Sequence, residues 1–466
     1  MDRSTGNTYN VSKGQNTPGI ARGRFRSYPQ YKDSGVKWLA TVPASWRICA
    51  VKHRFDIFLG KMLQPEPASA HDLQVPYLKA ANVQWENIGL GSLQTMWASK
   101  DEIQTGQVAM GDLLVCEGGE VGRAAILTQK PEEPTIIQNA LHRVRSQSEM
   151  PKFLMYLLEV SASGGWLEVE CNKATIQHFT CDKFGSLRIA LPSLDEQCRI
   201  VSFLDRETAK IDALIEKKER LIDLLQEKRA ALITQAVTKG LDPTVPMKDS
   251  GVEWLGKIPA HWNVKRIKTV ACLNTGGTPA GLLDEAFELE GVPWVKPDHL
   301  NGDHGIIMPD RRLSLSAAKA VGIIEAGSSL VCGIGTVGKT GHAPFIVCTN
   351  QQINAITFGC KVTNRFGQFI VSCLSQEFMR RANKVTLAIC NKSEMGEVFI
   401  CTPPLTEQRA VAAFLDRETA KIGTLLAKTH EAIDRLKEYR TALISAAVTG
   451  KIDVRDVGSK KRSDEN

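Results

Sequence analysis

"FLDRETAKI", residues 203–211, is written a second time without a change at 414–422. Working outward from this pair, "KDSGVKWLATVPASW" at 32–46 returns as "KDSGVEWLGKIPAHW" at 248–262. The first pair is offset by 211 positions and the second by 216, so the chain is two tandem units whose middle is five residues shorter in the second copy. Sparse landmarks survive in that middle: "LLVCEGGEVGR" at 113–123 matches "SLVCGIGTVGK" at 329–339, and "NKAT" at 172–175 matches "NKVT" at 383–386.

Each unit has two parts. The first, about 33–190 and 249–401, mixes short apolar runs such as "DLLVC" and "FIVC" with Gly and Pro turns, the pattern of an α+β globule. The second begins at 195 and runs to 237, 43 residues with neither Gly nor Pro and rich in Ala, Leu, Glu, Lys and Arg. That is a long helix, about 65 Å at ~1.5 Å per residue. Ser193 with Glu196 forms a capping-box pattern at its start, and Gly240 stops it. In the second copy Pro404 replaces the serine, so Thr406 is the expected cap and Gly450 the stop.

Along the first helix Ile211, Ile215, Ile222, Leu225, Leu232 and Ala236 follow a heptad seam, interrupted by Lys218 and Arg229. Ile422, Leu426, Ile433, Leu436, Leu443 and Ala447 repeat it, with Thr429 and Arg440 interrupting at the same two places. Such a seam must be covered, and the matching stripe is on the other copy's helix. The expected fold class is α+β: two globules separated by two long helices that form an antiparallel coiled coil, an internal pseudo-two-fold repeat. The plainer alternative packs each helix on its own globule.

At 466 residues, with 43% hydrophobic and 23% charged residues, the composition is that of a soluble globular protein of several domains. No apolar run reaches membrane-spanning length and "MDRSTGNTYN" lacks a signal-peptide core, so a cytoplasmic location without membrane contact is expected. The twelve cysteines contain no C-x-x-C pair, which favours reduced core residues over bridges or zinc ligands. A net charge of +7 permits nucleic-acid binding without demanding it. Residues 1–30 hold five basic residues against one acid among many Gly, Ser, Thr and Asn, the composition of a disordered basic arm.

Gly333, Gly338, Lys339 and Thr340 stand at the spacing of a phosphate-binding loop, G-x-x-x-x-G-K-T. That loop needs a helix to start within it. "GHAPFIVCTN" follows instead, a turn feeding another strand, and the first copy carries Glu117, Gly122, Arg123 and Ala124 at the same places. The shared feature is a glycine turn followed by a basic residue. A nucleotide-hydrolysing enzyme is disfavoured, and no paired carboxylates at metal-ligand spacing stand elsewhere. His53 and His342 are the isolated histidines one would otherwise offer as bases.

"KDSGVEWLGKIPAHW", the turn "GTVGK", "PPLTEQR" leading into "FLDRETAKIG", and "RTALISAAVTGKID" together resemble the specificity subunits of type I restriction-modification enzymes, over residues 32–453. The resemblance implies a target recognition domain at 31–190, a spacer helix region at 191–245, a second target recognition domain at 246–401, a second spacer at 402–457 and a polar tail at 458–466. It also implies a non-catalytic chain that binds a bipartite, asymmetric site on double-stranded DNA. Two modification (methyltransferase) subunits and the restriction subunits would be its partners, and S-adenosylmethionine, ATP and Mg2+ would sit on those partners. The basic arm, 1–30, departs from the family.

For DNA contact the candidates are polar residues beside the glycine turns: Arg123 and Lys339, the amides Gln138, Asn139, Gln351 and Gln352, which can pair with adenine, and Lys79, Asn82, Lys296, Asp298, Lys173 and Lys384. Solvated turns and surface amides are the plain alternative. A reading from another class is a coiled-coil scaffold whose globules capture peptides.

Overall fold

The computed structural model describes residues 25–167, 179–279, 286–302, 305–383 and 387–455. The chain divides into two compact units that do not follow the order of the repeats: residues 1–217 with 431–466, and 218–430. Each therefore holds one globule and half of each long helix.

In the first unit β1 (Asp56–Leu59), β4 (Leu113–Cys116), β5 (Ala124–Ile126) and β7 (Leu141–Arg145) form an antiparallel sheet in the order β5-β4-β7-β1. Beside it, β2 (Leu73–Leu78) pairs antiparallel with β3 (Gln94–Ala98) and parallel with β6 (Ile136–Ile137). α1 (Leu194–Lys239) follows the globule. The second unit repeats the plan. β8 (Ala271–Thr275), β11 (Ser329–Cys332), β12 (Thr340–His342) and β14 (Ile353–Phe358) form the order β8-β14-β11-β12. There β9 (Phe287–Val295) pairs antiparallel with β10 (Arg312–Leu313) and parallel with β13 (Cys348–Thr349), and α2 (Leu405–Val448) ends the chain.

α1 begins beside Ser193, whose Oγ accepts from the Glu196 amide at 3.4 Å. α2 begins one residue before Thr406, so Thr406 lies inside the first turn and does not cap it. Pro404 is the reason: its carbonyl already accepts the first intrahelical bond, from Gln408.

The seam positions are covered. Ile211, Leu443, Ile444 and Ala447 join one buried cluster with half-buried Ile215 and Leu436, so in the first unit the early turns of α1 lie against the late turns of α2. In the second unit the late α1 residues Ile233, Ala236 and Val237 share a cluster with the early α2 residues Val411, Ala412 and Leu415, with Leu232 half-buried against it. Within each unit the pairing is antiparallel. Ile222, Ile422 and Ile433 are buried, and Leu225 and Leu426 half-buried.

The duplicated stretches are the joints of each unit. Glu196 accepts from Tyr28 Oη at 2.7 Å and Trp46 Nε1 at 3.2 Å, while Glu407 accepts from Trp262 Nε1 at 2.8 Å and bonds His261 Nε2 at 2.7 Å. The fully buried amides Gln197 and Gln408 donate to Pro192 and Pro403 carbonyls and accept the backbone N–H of Met150 and Thr363. In "FLDRETAKI", Leu204 and Leu415 are buried, Thr208 and Thr419 bond back to their carbonyls, and Asp205 and Asp416 reach into the globule, to Lys152 with Tyr156 and to Arg365. Phe25 to Gln30, the last residues of the basic segment, are ordered: Phe25 stacks edgewise on Phe203 at 5.6 Å and Tyr28 is buried.

Candidate nucleic-acid interface

Where two parallel strands end together, the residues that follow them emerge side by side. In the first unit β2 ends at Leu78 and β6 at Ile137, so Lys79 and Gln138 leave the sheet side by side, with the Gln138 N–H donating to the Leu78 carbonyl at 2.9 Å. Asn139 N–H donates to the Lys61 carbonyl at 2.9 Å. That close approach needs Gly60, where a Cβ would lie 2.2 Å from the Gln138 carbonyl oxygen. Lys79 Nζ donates to Gln94 Oε1 at 3.0 Å. Asn82 accepts the Lys79 N–H at 3.0 Å and donates to the Gly89 carbonyl at 3.4 Å. Arg123 reaches the same corner. Its Nη2 donates to the Ala80 carbonyl at 3.0 Å and Nη1 to Glu120 at 3.2 Å, leaving the side chain 15% exposed. Lys79, Asn82, Arg123, Gln138 and Asn139, far apart in sequence, thus meet at one rim.

The second unit builds the same rim from other side chains. β9 ends at Val295 and β13 at Thr349, and the Asn350 N–H donates to the Val295 carbonyl at 3.0 Å. Gly276 stands where Gly60 stands, and a Cβ there would lie 2.2 Å from the Thr349 carbonyl oxygen. Lys296 follows Val295 as Lys79 follows Leu78, and its Nζ lies 4.9 Å from the centre of the Trp294 ring. Its N–H donates to His299 Nδ1 at 3.0 Å, so His299 takes the place of Asn82, with Asp298 exposed beside it. Burial lowers the His299 pKa, with Lys296 and Lys339 adding to this and Asp298 and Asp310 opposing it, while Nδ1 accepts the Lys296 N–H. Lys339 follows the Gly338 turn as Arg123 follows Gly122, and its charge bears on His299. Gln351 Oε1 accepts from Thr278 Oγ1 at 2.6 Å, and Gln352 Oε1 accepts from Asn350 Nδ2 at 2.8 Å. Lys173 and Lys384 lie outside the described residues.

The glycine–basic turn is a hairpin in the second unit: β11 and β12 pair antiparallel, with Val331 opposite Thr340. No helix starts at Lys339. Gly338 has φ +83° and packs so closely on Ser375 that a Cβ would lie 2.6 Å from its Oγ, and Gly122, at φ +78°, packs likewise on Leu167. Close packing on the globule accounts for the shared glycine. Of the two isolated histidines, His53 is exposed on a short 3-10 turn and His342 lies on β12.

Sequence reasoning missed Asn350, His299 and Thr278. The β register supplies the signal: Leu141 faces Cys116 and Ile353 faces Cys332, which equates Gln138 with Asn350, Asn139 with Gln351, and Ala140 with Gln352.

Two rims of one construction, lined by unlike polar side chains and attached to a shared helix pair, define a protein with two related but different recognition modules. The chain belongs to the family of the type I restriction modification DNA specificity domain, whose pattern matches residues 58–223 and 259–435. A relative in Methanocaldococcus jannaschii, described as the MjaX type I restriction enzyme specificity subunit, is 22% identical over 437 residues, 91% of this chain and 98% of its own. The MjaIX specificity subunit of the same organism is 25% identical over 167 residues, 34% of this chain and 38% of its own. Two solved structures share the fold. One is a chain from work on complex assembly and conformational transition of the type I R-M system, with TM-score 0.62 and 18% identity over 87% of this chain and 98% of that one. The other is the HsdS subunit from Thermoanaerobacter tengcongensis, with TM-score 0.51 and 17% identity over 88% of this chain and 98% of that one. Among the described residues no helix is long and apolar enough to cross a membrane.

Proposed function

We propose that this chain is the DNA sequence-specificity subunit of a type I restriction-modification complex, and that each globule reads one half of a bipartite, asymmetric duplex site. The observation that carries the reading is the pair of rims: the same parallel-strand construction presents Lys79, Gln138 and Asn139 in one unit and Lys296, Asn350, Gln351 and Gln352 in the other. Equal architecture with unequal side chains is what two different half-sites require. The chain itself is non-catalytic. Modification subunits, two of them, and restriction subunits dock on it and carry S-adenosylmethionine, ATP and Mg2+.

The test is a binding selection on randomised duplexes. Replacing Gln351 and Gln352 together by alanine relaxes only the half-site read by the second globule, at about 1–3 kcal/mol for each base no longer read. Equal degradation of both half-sites counts against independent reading. Wild-type affinity falls steeply between low and moderate salt, as phosphate contacts demand, whereas peptide capture in an apolar groove is insensitive to salt.

The helices set the unread gap. Four residues inserted near Lys218 add about one helical turn, ~6 Å. Methylome sequencing of cells carrying the variant shows an altered gap or no methylation, with neither half-site changed. An altered half-site with an unaltered gap rules out this role for the helices.

A further inference from the structure

The second rim contains a short hydrogen-bond relay whose polarity is fixed at one end by the backbone. The Gln352 N–H donates to Asn350 Oδ1 at 3.2 Å. A backbone N–H can only donate, so the carboxamide of Asn350 has one orientation, with its oxygen toward that amide. Its Nδ2 must then be the donor on the other side, and it donates to Gln352 Oε1 at 2.8 Å. Asn350 is 7% exposed and anchored through its own N–H to the Val295 carbonyl at 3.0 Å, so the relay is held in place by the parallel strand pair. The Gln352 backbone is fixed too, its carbonyl accepting from the Gly333 N–H at 2.7 Å.

The consequence falls on the far end of the half-buried Gln352 side chain. With Oε1 turned to Asn350, the group left facing outward is the amino group Nε2, which has no partner among the described residues. An unconstrained glutamine can turn over and offer either atom, but this one offers two hydrogens. The first unit has Ala140 at this register, so the relay belongs to one rim alone.

We infer that Asn350 is a positioning residue that makes Gln352 a donor-only reader, and that the base it selects is guanine. Guanine presents two acceptors, N7 and O6, on its major-groove edge, which the two hydrogens of one amino group can span. Adenine places a donor, N6, beside its N7, cytosine presents its N4 donor, and thymine offers the single acceptor O4 beside its methyl, so guanine alone takes both hydrogens. The inference rests on the proposed DNA-reading function and sharpens it from a module to one base and one atom.

The experiment uses the full chain in the randomised-duplex selection, with Gln352→Ala locating the position that Gln352 reads. Guanine is the base selected there by the wild type. In Asn350→Asp the carboxylate still accepts the Gln352 N–H, but its second oxygen can only accept, so the Gln352 amide turns over and presents Oε1. Preference at that position then moves from guanine to adenine or cytosine by roughly tenfold or more, although Asn350 itself touches no base. Gln352→Glu, whose outward oxygen can only accept, moves it the same way and serves if Asn350→Asp does not fold. Selection of the first half-site by each variant reports that the chain is intact. Any base other than guanine selected by the wild type at that position overturns the inference, as does guanine retained by both variants, or no position relaxed by Gln352→Ala. Absence of any sequence selection by the wild type overturns the DNA-reading function itself, a separate result.

Discussion

Replacing Arg440 by alanine lowers the stability of the first unit by about 2–3 kcal/mol, the cost of leaving half-buried carboxylates without their partner. Arg440 interrupts the seam of α2, and its guanidinium pairs with Glu86, with Glu159 at 2.9 Å and with Asp212 at 3.1 Å. Its side chain is 18% exposed and that of Glu159 17%, against 30% for Glu86 and 51% for Asp212, so the pair with Glu159 is the least screened. The turn that brings Glu86 in is held at φ +61°, unusual for a residue with a side chain, and its N–H donates to the Ala124 carbonyl. Burial raises the Glu159 pKa while Arg440 pulls it down. A carboxyl with a raised folded pKa binds its proton more tightly folded than unfolded, so stability falls as pH rises from the ordinary glutamate range through that raised value. Without Arg440 the downward pull is gone, and the penalty is largest at neutral pH and shrinks on acidification. Urea unfolding of wild type and variant at two pH values checks both parts. A loss below about 1 kcal/mol at neutral pH places the cluster among surface ion pairs.

Trp262→Ala costs the second unit about 3–5 kcal/mol, the usual range for a fully buried tryptophan. Trp262 is 0% exposed, packs with Leu255, Ile258 and Cys401, and donates its indole N–H to Glu407 at the start of α2. Gly240, at the end of α1, lies against the same ring, 3.2 Å from where its Cβ would be. Trp262→Phe keeps most of the volume and loses the hydrogen bond, so it costs less, about 1–2 kcal/mol. Denaturant titration with a probe in the second unit measures both. If Phe and Ala cost the same, the hydrogen bond rather than the packing holds this joint.

The joints were legible from the sequence, and so were many of the rim side chains, but the pairing that assembles the rims was not, for a physical reason. "KDSG" and "DEQ" or "TEQ" recur because both copies need the same bonds, several of them local: Asp33 and Asp249 accept the N–H of Gly35 and Gly251, and Gln197 and Gln408 satisfy proline carbonyls. The heptad seam was equally visible, since it depends only on spacing along one helix. The rims depend on two-residue strands, Ile136–Ile137 and Cys348–Thr349, that carry no periodicity of their own and acquire meaning by pairing with a strand more than fifty residues earlier. That pairing is what equates Gln138 with Asn350 and hides the relay. Arg440 read as a flaw in the seam because Glu86 and Glu159 lie hundreds of residues away in sequence. Thr406 was the local error: a good capping residue standing two places after a proline that had already started the helix.

The glutamate–tryptophan joint has a consequence for inheritance as well as for stability. Trp46 with Glu196 and Trp262 with Glu407 are near-identical fittings at the two edges of each globule, whereas the side chains at the rims lie between those edges. Genetic exchange with crossovers in the repeated stretches would deliver a foreign globule already carrying the matching fitting. The newcomer would seat on the old helices without any change at the joint, and the chain would acquire a new text to read while its mounting stayed the same.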